Sequence, residues 1–142
     1  MSLVSDKHRS TFAGIADVLI PEAEGMPSAT QAEVHGAILD RAVELRPDLR
    51  EAFFRGLNKA ADQDPQAAAE TLNKEDPEAL GAIGLLASAG YYMQPQVRDL
   101  IGYPGQENRP VDADSEPDYV TNGMLQAVID RGPIYRPTPK KA

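Results

Sequence analysis

Prolines recur at short intervals through the first hundred residues of the chain, and they limit the length of any helix or strand. Pro21 follows an apolar run, whereas Pro47, Pro65 and Pro77 each precede a stretch with apolar residues three or four positions apart. Proline suits the first position of a helix because the N–H there has no intrahelical partner, and aspartate suits the position before it. This spacing predicts a series of short helices.

The apolar spacing within these units predicts five helices, and so an all-α fold built as an irregular small bundle. The first helix runs from near Asp6 to Ile20, and the second is capped by Ser28, with Gln31 completing a capping box. The prolines named above open the other three. The apolar positions are, helix by helix, Phe12, Ile15, Ala16 and Leu19; Val34, Ile38, Ala42 and Leu45; Leu49, Phe53, Leu57 and Ala60; Ala68 and Leu72; Leu80, Ile83, Leu85 and Leu86.

The fifth predicted helix has almost no polar face before Ser88, so we expect it to be the buried, central one. Gly81 and Gly84 along it predict the close approach of another helix. A chain of 142 residues is long enough to bury one hydrophobic core. We expect that core to lie within residues 1–105.

The character of the sequence changes at Gly90, where aromatic residues mix with turn-forming ones. We expect an ordered loop region up to Gly105, with one short helical stretch near Val97 to Ile101. Residues 106–142 are predicted to form a separate, extended arm, acidic and rich in proline and tyrosine. Within it, we expect one short helix at Met124 to Ile129 and a polyproline-like end.

Charge and composition exclude several classes of function. A net charge of -8 has the wrong sign for a protein that neutralises phosphates, so we expect no nucleic-acid partner. The chain has no cysteine, which excludes disulfides, thiolate nucleophiles and iron–sulfur ligation. No apolar stretch approaches the ~20 residues of a membrane span, and no signal peptide is visible. We therefore expect no membrane insertion and a cytoplasmic location, unless a partner carries the chain to the periplasm.

Residues with catalytic or ligand chemistry are sparse and do not form a coherent site. His8 and His35 have no second ligand three or four residues away. The acidic run from Asp112 to Asp118 starts like a calcium loop, but Pro117 stands where that loop needs glycine. The turn at Gly102 to Gly105 has no lysine to cradle a phosphate. We expect no catalytic, cofactor-binding or metal-binding residue in this chain.

All five tyrosines fall after residue 90 of the chain, among prolines. Tyrosine offers a large contact area, a low entropy cost and a polar hydroxyl, so this clustering is typical of a recognition surface. Some of these tyrosines could equally cover the helical core, and the sequence leaves both interpretations open. The predicted partner interface consists of Tyr91, Tyr92, Pro95, Tyr103, Pro104, Tyr119 and Tyr135.

Five short motifs appear in a specific order. They are Phe12 to Pro21, which contains Ile-Ala-Asp-Val-Leu-Ile-Pro; Pro27 to Ala29; Ile38 to Asp40; Gly90 to Pro95; and Ile101 to Gly105. Together they resemble the gluconate 2-dehydrogenase subunit 3 family over about residues 10–106. Met93, the absence of a twin-arginine signal and the long tail after Val111 depart from the family pattern.

The resemblance implies a small helical subunit without catalytic activity of its own. Such subunits bind a large FAD-dependent subunit of the glucose-methanol-choline oxidoreductase class, often together with a membrane-bound cytochrome c subunit. FAD and the active site for sugar or alcohol oxidation would then belong to the large subunit. Two alternatives stay open: a stand-alone small enzyme that uses Asp17, Asp40 and tyrosines at a pocket, and an acidic regulatory module.

Overall fold

A computed structural model describes residues 3–108 and 117–135 of the chain, and those residues form eight α-helices and no named β-strand. The all-α prediction is therefore confirmed. The chain divides into two compact units, 1–105 and 106–142. The helices are α1 Asp6–Leu19, α2 Ala37–Leu45, α3 Arg50–Ala60, α4 Pro65–Glu75, α5 Pro77–Met93, α6 Pro95–Leu100, α7 Asp118–Thr121 and α8 Gln126–Arg131.

Helices α4 and α5 begin where proline and aspartate predict. The carboxylate of Asp64 accepts a hydrogen bond from the N–H of Ala67 at 3.0 Å, and that of Asp76 accepts one from Ala79 at 3.2 Å. Each bond satisfies a backbone donor that the first helical turn leaves unpaired. Pro47 opens only a short 3₁₀ turn, Pro47–Leu49, and α3 follows it directly.

The predicted second helix begins later than the sequence indicated. Ser28 and Gln31 do form the two reciprocal bonds of a capping box, at 2.7 and 3.3 Å. The helical turn stops at Glu33, which adopts a left-handed backbone conformation with φ 57°, and the two backbone bonds that usually end a helix form around it. Helix α2 then starts at Ala37, after Gly36.

The core of the first unit surrounds α5, which packs against α1, α2, α3, α4 and α6. Its predicted central position is confirmed. Three predicted core residues are wrong, because Leu19, Leu45 and Leu85 are exposed; the first two lie at helix ends, and the third lies on the outer side of α5. The largest fully buried side chains are Phe12, Phe53, Ile15, Leu39, Leu57, Leu72, Ile83, Leu86, Val34, Val43 and Val97.

Close helix packing occurs at other glycines than those predicted. A Cβ atom at Gly81 would meet no atom within 4 Å, and one at Gly84 would make only an ordinary contact. At Gly56, a Cβ would lie 3.0 Å from the Cβ of Ala79, and at Gly90 it would lie 2.9 Å from Cγ1 of Val34. The hydrophobic pattern identified the central helix. Which glycine of that helix lies against another element depends on how the neighbouring elements pack.

The surroundings of Gly81 and Gly90 predict opposite effects on stability when each of these α5 glycines is replaced with alanine. We expect Gly81→Ala to stabilise the protein by about 0.5–1 kcal/mol, because alanine favours helix and meets no obstacle. We expect Gly90→Ala to destabilise it by about 1–2 kcal/mol, because overpacking against the stiff, buried Val34 outweighs that gain. Urea denaturation measures both values. Val34→Ala should remove the Gly90→Ala penalty, and equal effects of the two alanines would contradict the packing.

The described part of the second unit, residues 117–135, holds two short helices and no buried side chain. Helix α8 lies close to the predicted stretch from Met124 to Ile129, whereas α7 was not predicted. The predicted polyproline-like end and most of the acidic run lie outside the described residues.

Candidate partner-binding surface

The structure places Tyr91 in the core, which corrects its assignment to the interface. Helix α5 continues to Met93 instead of giving way to a loop at Gly90, and Tyr91 on it is only 4% exposed. Its hydroxyl donates a hydrogen bond to the carbonyl of Pro27 at 2.6 Å. Burial raises the pKa of the Tyr91 phenol, and the neighbouring Tyr92 adds to the shift. The phenol therefore stays protonated at neutral pH and fastens the loop after α1 to α5.

Tyr92, the next residue, lies on the surface. It is 58% exposed, and its ring meets that of Tyr91 edge to face at 5.5 Å between centroids. One helical step of about 100° separates the two side chains, so one enters the core while the other reaches solvent. Pro95 is also exposed and opens α6 directly after α5 ends.

The turn after α6 owes its shape to two glycines. Gly102, with φ 65°, ends the helix, and the N–H of Tyr103 bonds back to the carbonyl of Arg98 at 2.8 Å. Gly105 also has a positive φ, of 87°. The tight turn expected from the sequence is therefore present, and it leaves the Tyr103 side chain 54% exposed, beside the exposed Pro104.

The guanidinium group of Arg98 lies over the ring of Tyr103, with Cζ 5.4 Å from the ring centroid. A Cβ at Gly105 would lie 2.7 Å from Nη2 of Arg98, so glycine provides the room for this group. The Nε atom is buried and has no hydrogen-bond partner among the described residues. An open cleft of about 310 Å³, here named the Arg98 cleft, is lined by Arg98, Asp99, Gly102, Tyr103 and Pro104.

Between Tyr92 and Tyr103, five large apolar or aromatic side chains are exposed. We name them the α5–α6 surface, and they are Tyr92, Met93, Leu100, Ile101 and Tyr103. Exposed apolar side chains that cluster in one region commonly mark sites of protein interaction. Sequence reasoning found the two tyrosines. It missed the neighbouring pair Leu100 and Ile101, whose apolar character was the available signal. It also missed Arg98, because only the three-dimensional structure shows that its Nε has no hydrogen-bond partner among the described residues.

The predicted interface residues of the second unit are both exposed. Tyr119 lies on α7, and Tyr135 lies at the end of the described residues. Ile134 and Met124 are also exposed in this unit.

The two carboxylates considered as catalytic have structural partners. Asp17 accepts hydrogen bonds from the N–H of Thr30 at 2.7 Å and from its hydroxyl at 2.5 Å. Asp40 pairs with Arg9, which also donates to the carbonyl of Gly36 at 2.8 Å. These bonds hold the turn before α2 and the start of α2 against α1.

Within residues 3–108 and 117–135, no group of three or more His, Asp or Glu side chains is arranged to hold a metal ion. His8 lies apart from His35, with its Nε2 atom 3.0 Å from the side-chain oxygen of Asn58. In the same residues, no helix is both long and apolar enough to cross a membrane. Comparisons of this chain with protein-family models, with curated proteins and with solved structures found no match.

Proposed function

We propose that this protein is a non-catalytic small subunit that binds and stabilises a large FAD-dependent oxidoreductase of the glucose-methanol-choline class. The observation that carries the proposal is the α5–α6 surface, which exposes large side chains that a solitary protein would gain by burying. The order of motifs that resembles gluconate 2-dehydrogenase subunit 3 identifies the kind of partner. FAD would be held by that partner, and a cytochrome c subunit can complete the assembly.

The state of the polar groups favours binding over catalysis. Asp17 and Asp40, the carboxylates that a stand-alone enzyme would need, are already engaged by Thr30 and Arg9. A general acid or base must instead be able to reach a substrate proton. The Arg98 cleft is open to solvent rather than enclosed.

The composition of the surface suits a protein partner. Tyrosine and arginine are enriched among the residues that dominate binding energy at interfaces, and Tyr92, Tyr103 and Arg98 lie within one short stretch of chain. Pro95 and Pro104 restrict the backbone there, which lowers the entropy cost of ordering a contact. The region is therefore suited to a stable complex.

Co-expression tests this function. The chain, carrying an affinity tag, is produced together with a glucose-methanol-choline flavoprotein of the same organism and purified through the tag. We expect the flavoprotein to co-purify with its flavin absorbance, and we expect its soluble yield to fall when this chain is left out. As part of the proposal we place the complex in the cytoplasm, and cell fractionation checks that location.

The matched control is the tagged chain produced alone. It should be helical by circular dichroism, carry no flavin absorbance and oxidise no sugar or alcohol. A chain that turns over substrate by itself would contradict the proposal. A chain that stays a stable monomer and retains none of the flavoproteins would favour a stand-alone regulatory module instead.

A further inference from the structure

Arg98 differs from the other arginines of the first unit in its partners. Five arginines there each donate to a carboxylate or to a backbone carbonyl; they are Arg9, Arg41, Arg46, Arg50 and Arg55. Within the described residues, Arg98 makes no ion pair and no side-chain hydrogen bond, and its recorded contact is the ring of Tyr103. Acidic residues outnumber basic ones by 22 to 14, so a guanidinium without a carboxylate partner is unexpected in this chain.

The surroundings of Arg98 hold its guanidinium group in place. The ring of Tyr103 lies against the group, Gly105 leaves room beside Nη2, and Nε is covered. Of the three guanidinium nitrogens, Nε is the one that is buried without a partner. The terminal Nη groups are therefore the donors that an incoming group can reach from the cleft. A guanidinium fixed in this way loses little conformational entropy when it forms a further bond.

We propose that the Arg98 cleft receives an aspartate or glutamate side chain of the flavoprotein partner, whose carboxylate accepts hydrogen bonds from the terminal Nη groups. This inference rests on the proposed function and adds the point at which the partner is recognised. Arginine and carboxylate form the strong, charge-assisted pairs found at interfaces. The exposed apolar side chains of the α5–α6 surface would exclude water around the pair, which strengthens it.

The negative charge of Asp99 would repel the carboxylate of the partner. Removing that charge therefore tests whether the group received in the cleft is negative or positive. Asp99 is among the residues that line the same cleft, and within the described residues it forms no ion pair with Arg98. An incoming carboxylate is repelled by it, so removing the charge should tighten the complex. If the cleft instead received a lysine or arginine of the partner, Asp99 would be the attractive residue and its removal would weaken the complex.

The first experiment measures the affinity of the complex by titration calorimetry. We expect Arg98→Gln to weaken binding about 30-fold, as expected for an interface hot spot. Asp99→Asn should tighten binding. Arg41→Gln is the matched control, since Arg41 is exposed on α2 and pairs with Glu44 within its own helix; it should bind as the unmodified protein does. Circular dichroism and thermal melting verify that each variant is folded. Unchanged affinity of folded Arg98→Gln, or weaker binding of Asp99→Asn, would overturn the proposal.

The second experiment identifies the carboxylate directly. The Arg98→Lys variant, in complex with the flavoprotein, is treated with a water-soluble carbodiimide, which condenses an amine with an adjacent carboxylate to form an amide. Peptide mass spectrometry should find the introduced amine joined to an aspartate or glutamate of the flavoprotein. Coupling of that amine to Asp99 or to other acids of this chain alone would overturn the assignment.

A third measurement separates this site from the proposed function. Sodium acetate is titrated into the isolated chain, with sodium chloride at equal ionic strength as the control, while the NMR signals of the Arg98 Nε–H and of the Tyr103 amide are followed. Saturable shifts with acetate alone support a carboxylate site, even if no flavoprotein binds and the proposed function fails. Equal shifts with both salts would overturn the site, whether or not the flavoprotein binds.

Discussion

Replacement of Tyr91 with alanine is expected to lower the free energy of unfolding by about 3–5 kcal/mol, the usual cost of truncating a buried aromatic side chain. The ring is almost fully buried at the end of α5, and its removal leaves a cavity where α5 meets the loop after α1. The carbonyl of Pro27 also loses its hydrogen-bond donor. Urea denaturation followed by circular dichroism measures this change.

Two further substitutions separate the contribution of the buried Tyr91 ring from that of its hydroxyl group. Tyr91→Phe keeps the ring and removes only the hydroxyl, so it should cost about 0.5–1.5 kcal/mol, the net contribution of one hydrogen bond, because the carbonyl of Pro27 is only partly buried. Tyr92→Ala should stay within about 0.5 kcal/mol of the unmodified protein, because that side chain is exposed. Equal destabilisation by Tyr91→Ala and Tyr92→Ala would contradict the division of the two tyrosines between core and surface.

The double variant Tyr92→Ala and Tyr103→Ala is expected to weaken the proposed complex at least roughly 100-fold, because each anchor residue of an interface typically contributes about 2 kcal/mol or more. Loss of Tyr103 also removes the ring that supports the Arg98 guanidinium. Both side chains are exposed, so the helix content of the chain should stay unchanged. The measurements are affinity for the flavoprotein and the soluble yield of that subunit on co-expression.

Leu85→Ala is the control for this double variant. Leu85 is likewise a large, exposed side chain on α5, but it lies outside the α5–α6 surface, so its loss should leave binding unchanged. If the double variant unfolds, the two tyrosines belong to the core and the interface is misassigned. If it stays folded and binds normally, the partner contacts another part of the chain.

The elements that could be predicted are those whose signals are local. Asp64 and Asp76 cap α4 and α5 through bonds to residues three positions away, and the proline after each needs no distant contact to open a helix. The apolar character of α5 likewise predicted its central place. The tight turn at Gly102 depends on a backbone conformation that glycine favours, so it too could be read from the sequence.

The candidate site could be predicted only in part, because exposure depends on distant partners. Tyr91 and Tyr92 are identical and adjacent, and their roles differ because α5 turns the first ring into the core, beside the carbonyl of Pro27, and the second towards solvent. Glu33 ends a helical turn without any glycine or asparagine signal, and Asp17 on α1 holds that turn by accepting a hydrogen bond from Thr30.

The sequence by itself therefore determined the all-α class, the helix starts at α4 and α5, and the concentration of tyrosine and proline after residue 90. Tertiary structure decided which tyrosine is buried, which glycine lies against another element, and that Arg98, within the described residues, lines a cleft without forming an ion pair. The physical reason is range: caps and turns depend on bonds within a few residues, whereas burial and charge pairing depend on contacts between distant parts of the chain.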